Sequence, residues 1–199
     1  MAPRGRQGRQ RREERRTVLL VTNGRNTERS YLKALERRVD SRYSITVKFV
    51  NGDPLTVVKD LRGTRSDLSA FDEVWIVVDH DGCDRSDFLT RCRELSKKRT
   101  AVHGVVSVPC FEVWLIAHYV PVRNYLNQKE AQRHYRELTG LSQKKEKSLP
   151  PDFPWDRAEC AATRCHLTHV DEPALDTQGP CPSTTMPHLL RSIGLISSS

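Results

Sequence analysis

Two aspartates and two glutamates of this chain stand where carboxylates can do chemistry. Val74-Trp-Ile-Val-Val78 is a continuous apolar run that ends in Asp79-His80-Asp81-Gly82. A short valine-rich run bounded by polar residues predicts a strand buried on both faces. In open α/β sheets, ligands and chemistry gather beyond the carboxyl ends of the strands. Two carboxylates at spacing two, leaving a strand into a glycine turn, can turn toward one hard cation. Mg²⁺ or Mn²⁺ suits such oxygen donors.

Two further acids could join them. Glu28 follows a first apolar run, Thr17-Val-Leu-Leu-Val-Thr22, and a turn that contains Gly24. By itself it reads as an acid that offsets the dipole of the helix starting there. Beside Asp79 and Asp81 it gains a second meaning, because the first and third strands of a parallel sheet can end side by side. Glu112 is the only formal charge between His103 and Arg123. A carboxylate in so apolar a stretch is costly to bury unless it is paired or holds a cation. The alternative for Glu112 is a solvent-facing place on an amphipathic helix.

The elements that must position these acids follow from periodicity. Residues 17–22, 44–50, 73–79 and 101–108 read as strands. Helical spacing runs over Glu28 to Val39, with Asn26 or Thr27 as cap, and over about Arg85 to Lys98. Asn51-Gly-Asp-Pro54 stops the second strand and opens a short helix through Leu61. Strand and helix in alternation predict an α/β fold with a largely parallel, four-stranded sheet flanked by helices. After Pro109 the pattern turns helical: Phe111 to Tyr119, Gln128 to Leu138, Asp156 to about Thr168, and Pro187 to Ile193. The expected organisation is a tail over 1–16, an α/β core over 17–122 and a helical extension over 123–199 packed on that core.

The remaining composition bounds the class. With 37% hydrophobic and 29% charged residues, the chain reads as a globular protein rather than a membrane one. Its longest apolar segment, Val105 to Val122, is interrupted by Pro109, Glu112 and His118. Residues 1–16 carry seven arginines against Glu13 and Glu14, and so hold most of the net charge of +8. Such a tail cannot bury a core and suits either solubility or phosphate backbones. It has no apolar h-region, so no secretory signal is expected, and the six cysteines are expected as reduced thiols in the cytoplasm. Cys160, Cys165, His166 and His169 match no standard zinc spacing. Ala158, Ala161, Ala162 and Cys165 instead share a helical face, which predicts a small core residue at Cys165.

Three segments together resemble the RloB family. They are Gly24-x-x-Thr27-Glu28, Val78-Asp79-x-Asp81, and Ser107-x-Pro109-Cys110-Phe111-Glu112-x-Trp114-Leu115. A closing Pro182-Ser-Thr-Thr185 with His188-Leu-Leu190 fits as well, so the resemblance spans about residues 17 to 193. It departs in three places: Thr22-Asn23 stands where the family has Cys-Glu, Val108 replaces an asparagine, and His80 stands where an arginine is usual. The resemblance implies a Toprim-type fold and a metal-dependent nuclease. Asp79 and Asp81 would hold magnesium or manganese, Glu28 would serve as general acid/base or share the metal, and Glu112 would complete the acidic cluster. Arg25, Arg29, Lys144, Lys145 and Lys147 are the candidate contacts to DNA or RNA. The family further implies a toxin-like effector of bacterial anti-phage defence working with an ATPase partner. This chain carries no G-x-x-x-x-G-K-[ST] motif of its own.

Two other functions fit parts of the pattern. One is a non-catalytic Toprim module that binds a partner and nucleic acid. The other is a haloacid-dehalogenase-like phosphatase with Asp79 as nucleophile and Asp81 as acid/base. That chemistry also needs a later acidic pair ending another apolar strand, and places its Asp-x-Asp on the first strand rather than the third.

Overall fold

The computed structural model describes residues 15–63, 68–142 and 149–197. Four strands form where apolar, β-branched residues concentrate: β1 Arg16–Thr22, β2 Tyr43–Phe49, β3 Glu73–Asp79 and β4 Ala101–Val108. All four run parallel. A fifth strand, β5 Ser183–Thr184, pairs antiparallel with the end of β4, giving the order β2-β1-β3-β4-β5. The expectation of four strands is corrected here. A two-residue strand has no periodicity to read, and Pro182 directly before it argues for a loop.

Side chains alternate along each strand and so build two cores. On one face Val18, Leu20, Trp75, Val77 and Val105 pack against α1 Thr27–Glu36 and the helices of the extension. On the other, Leu19, Val21, Val74, Ile76, Val78 and Val106 pack against α2 Pro54–Arg62 and α3 Ser86–Leu95. Helices on opposite faces make the sheet doubly wound. The connection from β1 goes to β2 at one edge, whereas that from β3 goes to β4 on the other side. The strand order therefore switches between β1 and β3, where open sheets place their ligands.

Helix ends fall where local chemistry sets them. Asp53 caps α2, accepting from the Thr56 N–H at 2.9 Å, with Pro54 in the first turn. Asn26 precedes α1 but makes no side-chain cap bond, because its backbone is already close to helical. The helix α3 stops at Leu95, three residues before its expected end. There Ser96 turns out of the helix and its hydroxyl takes the Val102 N–H at 2.9 Å.

The extension shares the core of the sheet. Every residue of α4 Glu112–Ala117 is buried, as in a helix enclosed by protein on all sides. It is covered by α5 Gln128–Thr139 and α6 Ala158–Arg164. Cys165 is buried beside Ala161 and Ala162. The last helix, α7 Met186–Ser192, is tied to β3 through Glu73. That buried carboxylate accepts from Trp75 Nε1 at 2.8 Å, from the Ser192 hydroxyl and from the Arg16 guanidinium. Among the described residues, no helix is long and apolar enough to cross a membrane.

Candidate functional site

Asp79 is the last residue of β3, and the turn after it runs alongside the exit of β4. The His80 N–H donates to Ser107 O at 2.9 Å, and the Asp81 N–H to Pro109 O at 3.2 Å. The Phe111 N–H donates back to Asp79 Oδ1 at 2.7 Å. These bonds lace the Asp-x-Asp turn to the Ser-x-Pro-Cys-Phe-Glu segment, so Glu112 arrives next to Asp79. Asp81 and Gly82 take left-handed backbone, with φ of 51° and 73°. Aspartate tolerates this region better than most residues, and glycine adopts it freely. Arg85 braces the turn from behind: its Nε–H donates to Asp79 O at 2.9 Å, and its guanidinium lies 3.9 Å from Asp81 Oδ2.

Glu28 comes from the other side of the switch point. Its carboxylate lies directly over Gly24, where an added Cβ would stand 2.0 Å from Glu28 Cδ. The turn beneath is held by two residues that the sequence marks only as departures from the family pattern. The Thr22 hydroxyl accepts from the Gly24 N–H at 2.9 Å, and Asn23 Nδ2 donates to Gly52 O at 3.1 Å.

Glu28, Asp79 and Glu112 line one pocket of about 330 Å³, with Asn23, Arg25 and Gln132 also in its wall. Asp81 belongs to a neighbouring pocket instead, and its side chain is 48% exposed. Three of the four predicted acids thus share a cavity, and the fourth lies across the turn. Gln132, on α5, is a site residue that sequence reasoning missed, because a glutamine on a polar helix carries no chemical signal. A family model described as RloB-like protein matches residues 18–193. The chain belongs to the RloB-like family. No curated protein and no solved structure matches it.

Electrostatics of this RloB-like site centre on Asp79. Burial raises its pKa well above the usual carboxylate range, and the charges of Glu28, Glu112 and Asp81 raise it further. The Phe111 N–H pulls in the opposite direction. Asp79 is half-buried and lines the pocket. The adjacent Cys110 thiol is pushed up by burial and by Glu112 and Asp79, which leaves it protonated and a poor nucleophile. His80 is held low by burial and then by Arg85. Its Nδ1 accepts from the Gly82 N–H at 3.1 Å, so it serves as a neutral brace in the turn.

The donor set fits a hard divalent cation. It is all carboxylate oxygen, and its charges repel one another until a cation relieves them. Among the described residues, no three such side chains are already drawn into a closed ligand set. The arrangement is an open acidic pocket. Arg25 lines it, and the guanidiniums of Arg25 and Arg29 lie 5.9 and 5.8 Å from the centre of the Phe49 ring. Arg25 is further held by Asn51 Oδ1 at 2.9 Å. Lys144, Lys145, Lys147 and most of the arginine tail lie outside the described residues.

Proposed function

We propose that this protein is a Toprim-type, Mg²⁺- or Mn²⁺-dependent nuclease that hydrolyses phosphodiesters of DNA or RNA. It would act in the bacterial cytoplasm as a toxin-like effector of anti-phage defence, triggered through an ATPase partner. The observation that carries this is the meeting of Glu28, Asp79 and Glu112, from three separate segments, in one pocket at the strand switch point.

Asp79 and Glu112 would hold the cation, with Asp81 joining from across the turn. The bound cation would neutralise phosphate charge and lower the pKa of an attacking water. Asp79 is oriented for this by the Phe111 N–H, which donates to its Oδ1, and the residue lines the pocket. Glu28 moves the proton, as general acid/base. Gln132 offers an amide to orient water or a phosphoryl oxygen, and Arg25 offers a cation to the phosphate. The phosphatase alternative finds less support. After β4, the sole strand among the described residues is β5, which brings the hydroxyls of Ser183 and Thr184 and no carboxylate.

The test is incubation of DNA and tRNA with the protein in Mg²⁺ or Mn²⁺, alone and with a defence-associated ATPase. Cutting is expected from wild type and lost in Asp79→Asn, Glu28→Gln and Glu112→Gln. Normal cutting by the first two variants would sink the site. Cation-independent binding without cutting under any condition would favour the non-catalytic module.

A further inference from the structure

A second pocket, of about 510 Å³, lies on the Asp81 side of the turn. Its wall is formed by Asp81, Val108, Pro109, Leu126, Gln128 and Lys129, among others. The Asp79-His80-Asp81 turn is thus a partition, with the acidic pocket on one side and a larger, mostly apolar one on the other. We propose that this second pocket takes the nucleobase next to the phosphate that is cut, an inference that rests on the nuclease reading above.

Four observations carry it. The volume suits a small organic ligand, where enclosed sites run from about 300 to 1,000 Å³. The wall pairs apolar side chains with a few polar ones, the mixture that binds a flat, hydrogen-bonding ring. Leu126 is 94% exposed, although its backbone is fixed. Its N–H donates to Glu130 Oε2 at 2.8 Å, while the Glu130 N–H donates to Asn127 Oδ1 at 3.2 Å. A rigid loop therefore presents an uncovered leucine at the rim, a surface that a base would bury. Finally, Lys129 adds a cation to the lining that also holds Asp81, where the nucleotide's phosphate would pass on its way to the carboxylates. The turn that carries Asp81 is equally fixed, since Pro109 O accepts from the Asp81 N–H at 3.2 Å. The pocket is preformed and needs no closure to accept its ligand.

Nucleoside 5′-monophosphates contain no internucleotide bond to cut, so they probe the pocket with the intact wild-type chain in Mg²⁺. Titration calorimetry with AMP, GMP, CMP and UMP is compared with ribose 5-phosphate, which has the phosphate and no base. At least one monophosphate is expected to bind about tenfold or more tightly than ribose 5-phosphate, a gain of the size expected from burying the base against Leu126, Val108 and Pro109. Leu126→Asp, at an exposed position, is expected to remove that preference without changing the melting temperature. Lys129→Glu should weaken the monophosphates and ribose 5-phosphate together. Equal affinity for the sugar phosphate and all four monophosphates would overturn the base pocket, as would an unchanged preference in Leu126→Asp. Cleavage by wild type with no such preference would refute the pocket and keep the nuclease. The preference without cleavage would refute the nuclease and keep a nucleotide site.

Discussion

The Glu28 carboxylate occupies the space that a side chain at residue 24 would fill. A Cβ at residue 24 would lie 2.0 Å from Glu28 Cδ and 2.2 Å from each carboxylate oxygen. The backbone of Gly24 is not left-handed, so alanine is permitted there and the glutamate must move instead. Gly24→Ala is expected to lower cleavage about 10²-fold, the usual cost of misplacing a catalytic group by an ångström. Its melting temperature should match or exceed wild type, because alanine restricts the unfolded chain. Full activity in Gly24→Ala would remove Glu28 from the chemistry.

Asp79 makes stability depend on pH with a defined sign. Its native pKa is raised above the ordinary value of 3.8, so the native state disfavours the charged carboxylate. The contribution to stability is complete below 3.8 and is lost as pH rises through the native value. Asp79→Asn should therefore melt above wild type at pH 8, with a margin that closes toward pH 3.8. Mg²⁺ or Mn²⁺ at pH 8 should raise the melting temperature of wild type more than that of the variant, since binding to the native state stabilises it. A cation effect of equal size in both would exclude Asp79 as a ligand.

His118 gives a slope of a different origin. It is buried among Tyr31, Trp114 and Phe153, and its Nδ1 lies 3.1 Å from Pro154 O, which assigns the proton to that nitrogen. Burial lowers its pKa from 6.5 to about 4. The unfolded chain then binds more protons between those values, and stability falls as pH drops from 6.5 to about 4. The loss is about 3 kcal/mol at the lower end. Denaturant titrations of His118→Phe across this window should show a flatter dependence than wild type. An equal slope would assign the acid sensitivity to other groups.

Arg25 and Arg29 share the ring of Phe49, and Arg25 also lines the acidic pocket. If they contact phosphates, Arg25→Gln and Arg29→Gln should each reduce the salt slope of nucleic-acid binding by about 1. Phe49→Leu should reduce affinity less, because it loosens the guanidiniums without removing charge, at about 0.5–1 kcal/mol for an exposed cation–π contact. A salt slope unchanged in both arginine variants would move the contacts elsewhere.

Much of the site was legible because its acids interrupt strong patterns. Asp79 ends an apolar run, and Glu112 is a lone charge in an apolar stretch; a buried helix was the costly explanation, and it holds. The parallel strands were legible for the same reason, since valine-rich runs alternate with amphipathic helices. What escaped reading depends on tertiary placement. Thr22 and Asn23 hold the Gly24 turn through one hydroxyl and one amide, as many loop residues do. Gln132 becomes a site residue only because α5 folds back over α4. The division of Asp79 and Asp81 between two pockets rests on left-handed backbone at residue 81, which a sequence does not announce.

The bonds that lace the Asp-x-Asp turn to the β4 exit have a mechanical consequence. Asp79 and Glu112 form a single jaw, because Ser107 O, Pro109 O and the Phe111 N–H leave neither segment free to slide against the other. Glu28 is the opposing jaw, hung on a different strand and resting on a bare glycine. A change in the width of the pocket is then made by rotation of the Glu28 side chain, while Asp79 and Glu112 keep their mutual spacing.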